Sequence, residues 1–557
     1  MQATPLPAPQ SSTSRSSAPP VPPLAAPPPH AAPTPALAPF TAALLPALVM
    51  LTLGLWGLDR GTVWRDEGAT LQVARRSFPE IWHLLHQVDV VHGLYYVLMH
   101  AVLPADPGEV VLRLPSVFAA AATAALVAAI GTRLARPRVG LWAGLLYAVT
   151  PIVGHYAQEG RSYALVAAGA ALSTLLLLRA VERSGGGAAR SAWCAYAAAV
   201  TGTALLHELA ALLLLAHAAT LLLARVPRPA RRGWAAAACA TCVLLLPLLA
   251  VSSGQSAQVA WLVAPDGAAA DQLVHAFAGP TRLVLIGQLL LAVVALRPPW
   301  SRAGRGARGT RGAPTPSLPA VALPLLVLPP AVLFAVSQWW PLYHQRYVLF
   351  ALAGLPLLVA AGADRVVRGL GAALRRRRAD ASDPRPWISR GRTVVAAVGA
   401  LAVGAGLWWQ LPLHRHDRAV GHGREDPAGA AAFVAREVRP GEPVLFLPLL
   451  ARRVTLAYPD GFRGVRDLAL AVSPGTSGTL YGVEADPAEV RRRLAAVDRL
   501  WVLAEPPALH RTLRDPAPAL AAERAAEKAK LTVLRREFTL RATFAVPGVT
   551  LRLYVRR

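Results

Sequence analysis

The sequence predicts an all-α polytopic membrane domain followed by a small extracytoplasmic α/β domain, and three observations support this fold class. The 557 residues are 54% hydrophobic and only 16% charged, whereas a soluble chain is about a quarter charged. The apolar residues lie in long blocks that short arginine-rich links separate, which is typical of helices that cross a bilayer repeatedly. Residues 412–557 have a mixed composition instead, which predicts a soluble domain after the last apolar block.

The charge and the cysteines narrow the class of protein further. Lysine and arginine outnumber the acidic residues 57 to 31, which gives a formal net charge of +26. In a soluble protein this excess would indicate a nucleic-acid partner. Here the arginines lie between apolar blocks, so membrane topology explains them and no nucleic acid is expected. The three cysteines, Cys194, Cys239 and Cys242, lie in apolar stretches, which indicates helix packing rather than a disulfide or metal framework.

The chain divides into a tail and a long membrane domain before the soluble part. Residues 1–35 are rich in proline, alanine and serine, so they cannot bury enough apolar surface to fold, and we expect a disordered cytoplasmic tail. Residues 36–411 contain the apolar blocks and are expected to form about eleven transmembrane helices. The blocks run approximately over 37–58, 110–131, 139–153, 163–181, 193–224, 234–251, 281–296, 318–337, 347–363 and 393–411.

The block at 193–224 decides the topology, because it is too long for one span and short for two. If it is two short helices that turn near His207 and Glu208, nearly every arginine cluster falls on the cytoplasmic side, as the positive-inside rule requires. If it is one helix, the clusters from Arg225 onward move to the outside. The sequence therefore favours two helices, a multi-pass protein of the cell membrane, and an external C-terminal domain. The run Arg375–Arg378 is then an orientation signal near anionic lipid headgroups.

The first external loop, residues 60–108, opens with two adjacent carboxylates. Asp66 and Glu67 lie a few residues beyond the expected end of the first span. Amphipathic stretches at about 70–87 and 93–102 follow, and we expect them to lie along the external membrane surface. The acidic pair has two interpretations: it caps a helix that begins near Gly68, or it supplies a general base to a cavity at the membrane surface.

Two further external segments carry unusual polar residues. The turn at 155–165 contains Gln158, Glu159 and Arg161, which form either a solvated turn or part of a site. In the segment at 337–350, Arg346 directly precedes an apolar helix. A lone external arginine at a helix start opposes both the helix dipole and the topology rule. It therefore indicates an anionic partner, either a phosphate or a structural carboxylate such as Asp66 or Glu159.

The C-terminal region, residues 412–557, predicts a small α/β domain without a catalytic motif. A helix is expected at 427–437 and another near 516–532, and short buried strands at 444–450 and 499–505. Residues 539–557 predict a hairpin around Pro547 and Gly548. Across the whole chain no Walker-type P-loop, HExxH or GxSxG motif frames a soluble-enzyme site, which argues against an ATP-driven pump.

The order of these features resembles the GT-C glycosyltransferase superfamily. It is most similar to bacterial members of glycosyltransferase family 39, the relatives of protein O-mannosyltransferases. The similarity extends over roughly 37–411. It rests on the Asp-Glu pair, on RLPSV at 113–117, on QEGRSYAL at 158–165 and on RYVLF at 346–350. Many relatives carry a His-Pro-Pro-Leu-Tyr-Tyr-like run in the first loop, where this chain has His-Gly-Leu-Tyr-Tyr at 92–96.

The resemblance implies a membrane enzyme that moves a sugar, plausibly mannose, from a polyprenyl-phosphate carrier to an extracytoplasmic acceptor. It implies Asp66 as the catalytic base with Glu67 beside it, and Arg346 as the residue that holds the donor phosphate. The acceptor stays open between protein, glycan and lipid. The residues expected to bind substrate are His92, Tyr95, Gln158, Glu159, Arg161, Tyr163, His344, Arg346 and Tyr347.

The chemistry of these residue types agrees with that implication. One carboxylate suffices to deprotonate an acceptor hydroxyl, and a guanidinium can stabilise a departing lipid phosphate, so inversion at the anomeric carbon is expected. A divalent cation between carboxylate and phosphate is compatible with this chemistry, but the sequence contains no dedicated ligand set. Two alternatives stay open: an arabinosyl- or aminoarabinosyltransferase of the cell envelope, and a transporter or flippase of lipid-linked sugars.

Overall fold

The computed structural model describes residues 37–103, 108–297, 316–378, 388–420, 425–505 and 518–557. Three predictions lie outside these residues: the disordered tail at 1–35, most of the arginine-rich link at 298–315, and the side chains of the cluster at 375–378.

Sixteen described helices form the membrane domain and its first loop. A helix lies in every block that the sequence marked as apolar, and the block at 193–224 is two helices. The helices are α1 Leu37–Leu55, α2 Arg65–Ala74, α3 Phe78–Gln87, α4 Gly93–Val102, α5 Glu109–Leu134, α6 Pro137–Val149, α7 Pro151–Ala157, α8 Tyr163–Arg183, α9 Ala189–Leu206, α10 Leu213–Leu223, α11 Arg228–Gly254, α12 Gly267–Ala278, α13 Arg282–Leu296, α14 Leu318–Val336, α15 Gly354–Arg378 and α16 Ile388–Val420.

Among the described residues, length and composition support fewer spans than the eleven predicted. Six helices are long and apolar enough to cross a membrane, or up to eight if each of two bent pairs is one span. Helix α10 has only 11 residues, about 16 Å of helix against a hydrocarbon core of about 30 Å. The polytopic all-α class is therefore confirmed, and the count of eleven is not.

The two bent pairs have a common physical cause. Helices α6 and α7 meet at 66° at Thr150, and α12 and α13 meet at 78° across Gly279 and Pro280. Proline disfavours helical backbone in the residue before it, so Pro151 and Pro280 end one helix and redirect the chain. The bend at Thr150 aims α7 toward the turn at 158–163.

The C-terminal region is a small α/β domain, as predicted. Two apolar clusters lie on either side of a five-stranded mixed sheet with the order β2-β1-β5-β7-β6, and β3 and β4 form a separate pair. Its elements are α17 Pro427–Glu437, β1 Pro443–Leu447, α18 Arg453–Ala457, β2 Arg466–Asp467, β3 Leu470–Val472, α19 Pro474–Ser477, β4 Val483–Glu484, α20 Pro487–Ala495, β5 Arg499–Ala504, α21 Pro518–Glu537, β6 Phe538–Val546 and β7 Val549–Arg556.

This domain packs on the first loop of the membrane domain. Gln72 in α2 donates to the carbonyl of Leu480 at 2.8 Å, and Arg76 donates to the carbonyl of Thr479 at 2.8 Å. The C-terminal domain and the first loop therefore lie on the same face of the membrane domain. Helix α16 continues through Pro412 to Val420, so the boundary lies after that residue rather than at 412.

Candidate active site

The segment between α1 and α2 is held by one buried arginine of α5. The Arg113 guanidinium donates to the carbonyls of Leu58 and Arg60, both at 3.1 Å, and to that of Thr62 at 3.2 Å. It also forms a two-point pair with Glu67, with both N···O distances 2.9 Å. Because a guanidinium is a rigid fork of donors, this one side chain fixes the backbone that leads to Asp66.

Glu67 is a structural residue in this arrangement. Its side chain is fully buried, and it accepts from the backbone amide of Gly160 at 2.8 Å and from that of Trp64, which precedes α2, at 3.4 Å. Its carboxylate does not line the cavity described below. The helix-capping interpretation therefore applies to Glu67, and its expected place beside the reacting groups does not agree with the structure.

Asp66 points the other way and meets Arg346. Its Oδ2 accepts from Arg346 Nη1 at 3.0 Å, and its side chain is 21% exposed. The two residues are 280 positions apart, so the first loop and the segment before the late apolar helix come together in one site. This is the juxtaposition that the sequence predicted for the two groups.

Aromatic rings surround the Arg346 guanidinium. Its central carbon lies 5.4 Å from the ring of Tyr163, 5.5 Å from that of Tyr347, and 5.9 Å from those of Trp64 and Trp261. Its Nε is buried without a hydrogen-bond partner. The rings stabilise the cation while leaving a donor open, which suits the binding of an anion.

A second arginine is held close by through a relay of side chains. Asp89 pairs with His92 Nδ1 at 2.7 Å, and His92 Nε2 accepts from Arg161 Nη2 at 2.8 Å. Arg161 also donates to the backbone carbonyl of Asp66 at 3.4 Å, and its own Nε has no partner. The Tyr96 hydroxyl donates to the other oxygen of Asp89. Arg161 and Arg346 thus place two positive charges beside Asp66.

Three histidines around these arginines are neutral. Burial lowers the pKa of His92, His207 and His344, and the positive charges of the neighbouring arginines lower it further. For His344 the pKa falls to about 4, so its Nδ1 can accept from the Arg346 backbone amide at 3.4 Å. His207 Nδ1 is buried without a partner although its ring lines the cavity.

The turn at 158–163 supplies the rear of the site. Gln158 donates to the carbonyls of Gly54 and Trp56, both at 2.9 Å, and so caps the end of α1 without lining the cavity. Burial raises the pKa of Glu159 to about 7, partly opposed by the cations His155 and Arg346. Glu159 Oε1 has no hydrogen-bond partner. Of the predicted turn residues, only Arg161 reaches the cavity wall.

The paired tyrosines of the first loop have different roles from those expected. Tyr95 is fully buried in the apolar core of the loop helices and does not line the cavity. Tyr96, its neighbour, is the one that contacts the site, through Asp89. Tyr163 lies behind Arg346, with its ring 6.2 Å from that of Tyr347. His92, His344, Arg346 and Tyr347 do line the cavity, and their part in substrate binding stays a prediction.

The cavity has a volume of about 2330 Å³ and two different walls. One wall comes from the membrane domain at 64–66, 87–92, 207–209 and 342–347. The other wall comes from the C-terminal domain at 447–450, at 479–487 and along α21. Ligand cavities usually measure about 300–1000 Å³, so this one has room for two substrates together. Within the described residues, no group of three or more His, Cys, Asp or Glu side chains could hold a metal ion.

Several residues of the site were missed or undervalued from the sequence. Asp89 has left-handed backbone with a φ of 63°, which no local pattern predicted. His207 was assigned to a turn. Arg113 entered the sequence prediction only within RLPSV, although a lone arginine near the start of an apolar helix is the same signal that singled out Arg346.

Comparisons with known proteins find a partial family match and a similar fold. The profile of the family described as dolichyl-phosphate-mannose-protein mannosyltransferase matches residues 93–252. No curated protein sequence matches the chain. The crystal structure of ArnT from Cupriavidus metallidurans in the apo state superposes with a TM-score of 0.56 at 15% identity, over 93% of this chain and 98% of that one. ArnT bound to undecaprenyl phosphate superposes with a TM-score of 0.50 at 14% identity, over the same shares.

Proposed function

We propose that the chain is a glycosyltransferase that transfers a sugar from a polyprenyl-phosphate carrier to an acceptor on the outer face of the membrane. The superposition on ArnT over 93% of the chain and the match of residues 93–252 to a mannosyltransferase profile support this proposal. The observation that carries this proposal is the Asp66–Arg346 contact at 3.0 Å. It provides a base and an anion-binding cation next to each other at the wall of a large cavity. The ArnT structure that contains undecaprenyl phosphate supports a lipid-phosphate donor.

The reaction is a single displacement with inversion. The acceptor hydroxyl oxygen forms a bond to the anomeric carbon while the bond from that carbon to the phosphate oxygen breaks. The hydroxyl proton passes to the Asp66 carboxylate, and the polyprenyl phosphate leaves with the electron pair. Arg346 and Arg161 stabilise the charge that develops on the leaving phosphate. No second carboxylate acts as a nucleophile, which agrees with the buried, saturated position of Glu67.

The Asp66–Arg346 pair also links donor binding to activation of the base. In the free enzyme the Arg346 guanidinium occupies one Asp66 oxygen. A donor phosphate competes for the same guanidinium, whose unpaired Nε gives it a further donor for the purpose. As the cation turns toward the phosphate, the carboxylate is released to accept the proton of the acceptor. Base activity therefore develops only when the donor is bound.

The charged residues at the two ends of the membrane domain support one orientation of the protein in the membrane. Arg113, beside the site, lies near the start of α5, and Arg133 lies in its last turn and pairs with Glu182. At that far end Asp364 pairs with Arg138 at 2.5 Å. The basic links thus gather opposite the site, and the positive-inside rule supports a site and a C-terminal domain on the extracytoplasmic face.

The sugar is proposed to be mannose, because the matching family profile is that of a mannosyltransferase. Arabinose and aminoarabinose are the competing donors. A transporter of lipid-linked sugars is less well supported, because the polar groups described here gather at one end of the helices rather than at mid-membrane. A scaffold without activity leaves Asp66, Arg161 and Arg346 without a common role.

The test is a transfer assay with the purified full-length protein and a panel of donors. The protein would be mixed with mannosyl-, arabinosyl- or aminoarabinosyl-polyprenyl phosphate and with membrane extracts that supply the acceptor. The released polyprenyl phosphate would then be measured. We expect release from one donor, and for Asp66→Asn a loss of at least about 1000-fold, within the range of removing a general base, with normal membrane insertion. Undiminished activity of Asp66→Asn would remove Asp66 from the mechanism.

A further inference from the structure

We propose that the C-terminal domain positions the catalytic base, and that Tyr458 is the residue through which it does so. This inference rests on the proposed function, because it takes Asp66 to be the base. It assigns the domain a role in the reaction itself, beyond forming one wall of the cavity. Tyr458 touches no reacting atom in this arrangement, so it is a positioning residue rather than a catalytic one.

The Tyr458 hydroxyl forms hydrogen bonds to two groups of the membrane domain, a backbone amide and a side-chain carboxylate. It accepts from the backbone amide of Val63 at 2.9 Å and donates to Glu109 Oε1 at 2.8 Å. Val63 precedes Trp64, the residue that caps α2, so its amide has no place in the helical hydrogen-bond ladder. Val63 is only 3% exposed, and a buried amide without an acceptor is costly. Tyr458 therefore supplies the partner that this amide needs.

The bonded amide lies three residues before Asp66. The segment at 58–67 is held from the membrane side by Arg113, through three carbonyls and Glu67. It is held from the other side by the C-terminal domain, through Tyr458 and through the Thr62 hydroxyl, which donates to the carbonyl of Glu425 at 3.2 Å. Two opposed anchors fix a short segment better than one, so the position of Asp66 depends on both domains.

Packing supports the same link. The Tyr458 ring packs against the apolar core of the C-terminal domain and against the separate core of the first-loop helices. Helix α18, which ends at Ala457, lies directly against α2: a Cβ at Gly68 would be 3.6 Å from the Ala457 side chain. A side chain at Gly68 would therefore meet α18 in ordinary van der Waals contact. The first turn of α2, with Asp66 in it, moves with the C-terminal domain as one packed unit.

The test compares two variants that each remove one buried tyrosine hydroxyl. Tyr458→Phe removes the bridge to Val63 and Glu109. Tyr196→Phe, the control, removes a hydroxyl in α9 that accepts from Trp234 Nε1 at 3.1 Å and bonds His217 Nδ1 at 2.9 Å. Both are measured as full-length protein for kcat, for the KM of the donor, and for hydrogen exchange of the peptide over 58–66.

We expect Tyr458→Phe to lower kcat between about 10-fold and 100-fold, the scale of a small misplacement of a catalytic group. The donor KM should change less than kcat, because Tyr163 and Tyr347 beside Arg346 and His92 beside Arg161 lie outside the segment at 58–66, although both arginines also contact Asp66. Hydrogen exchange of the amides over 58–66 should accelerate at least about 10-fold, which corresponds to a fall of about 1.4 kcal/mol in the free energy of local opening. Tyr196→Phe should lower the melting temperature without changing kcat or this exchange.

Unchanged kcat and unchanged exchange in Tyr458→Phe would overturn the inference while leaving the proposed function intact. Retained activity in Asp66→Asn would overturn the proposed base instead, whatever the exchange experiment gives. If Tyr458→Phe does not fold, Thr62→Val removes the second link with a side chain of similar shape. It should lower kcat between about 3-fold and 10-fold, as expected for one net hydrogen bond, and an unchanged kcat there would contradict the inference.

Discussion

The C-terminal domain and the cavity wall of the membrane domain both bury charged side chains, but they satisfy them differently. In the C-terminal domain Arg452 is 2% exposed and pairs with Asp467 at 2.5 Å and with Glu484 at 3.1 Å. Lys530, also 2% exposed, pairs with the same Glu484 at 2.5 Å. These charges pair with one another, and Glu484 and Lys530 also belong to the second wall of the cavity.

At the cavity wall and directly behind it, buried polar groups keep open positions. The Nε atoms of Arg161 and Arg346, Nδ1 of His207 and Oε1 of Glu159 are all buried without a hydrogen-bond partner. Leaving such atoms unpaired costs free energy, and the fold tolerates this cost where a ligand can supply the missing partners. The contrast indicates that the paired charges stabilise the C-terminal domain, whereas the unpaired atoms beside the cavity are open to a ligand. Unpaired buried atoms such as Arg76 Nη1 and Ser173 Oγ also lie away from the cavity.

The largest expected effect comes from a substitution among the paired charges of the C-terminal domain. Arg452→Met removes the cation that pairs with Asp467, whose side chain is 18% exposed, and one of the two cations on Glu484. We expect the free energy of unfolding to fall by about 3–5 kcal/mol, the usual effect of breaking a buried pair. Denaturant unfolding in detergent measures the loss. Transfer activity per folded molecule should stay unchanged, and a large loss of kcat without a loss of stability would contradict the distinction.

The next effect concerns Glu159 and the dependence of stability on pH. An unfolded glutamate titrates near about 4.3, and in the folded protein burial raises the pKa of Glu159 to about 7. The folded state then binds one more proton between these values, so its stability falls as the pH rises through this window. The fall totals about 4 kcal/mol at about 1.4 kcal/mol per pH unit.

Glu159→Gln should remove that fall, because the amide does not titrate. As the pH rises from 4.5 to 7, the melting temperature of the variant should therefore rise relative to that of the wild type. Above pH 7 the difference between the two melting temperatures should stay constant. Melting curves across this range measure the difference. Parallel curves throughout would mean that Glu159 is already ionised in the folded protein.

The smallest expected effect concerns an arginine of the cavity wall that has an unpaired donor. Arg346→Ala removes the cation proposed to hold the donor phosphate. We expect donor use to weaken by at least about 2 kcal/mol, or about 30-fold. Stability should change little, because the Asp66 partner left behind is partly exposed. Titration of the donor against the variant measures the loss, and an unchanged apparent donor affinity would argue against phosphate binding at Arg346.

Much of this site was predictable from the chain because its signals are local. A lone arginine before an apolar helix and a carboxylate pair after another are visible without a structure, and both Asp66 and Arg346 reach the cavity. Glu67 could not be separated from Asp66 in this way, since adjacent residues in a first helical turn point in different directions. Asp89 and His207 were undervalued because their importance comes from neighbours that are distant in sequence.

The sequence by itself determined the membrane class, the apolar helix in every predicted block, the α/β character of the C-terminal domain and the polar segments that meet at the site. Those features follow from composition and periodicity, which each stretch of chain carries independently. Only the tertiary structure decided which carboxylate faces the cavity, which arginines keep open donors, and that Tyr458 ties the C-terminal domain to the loop before Asp66. Such features depend on which groups share a partner, and a partner hundreds of residues away leaves no trace in local pattern.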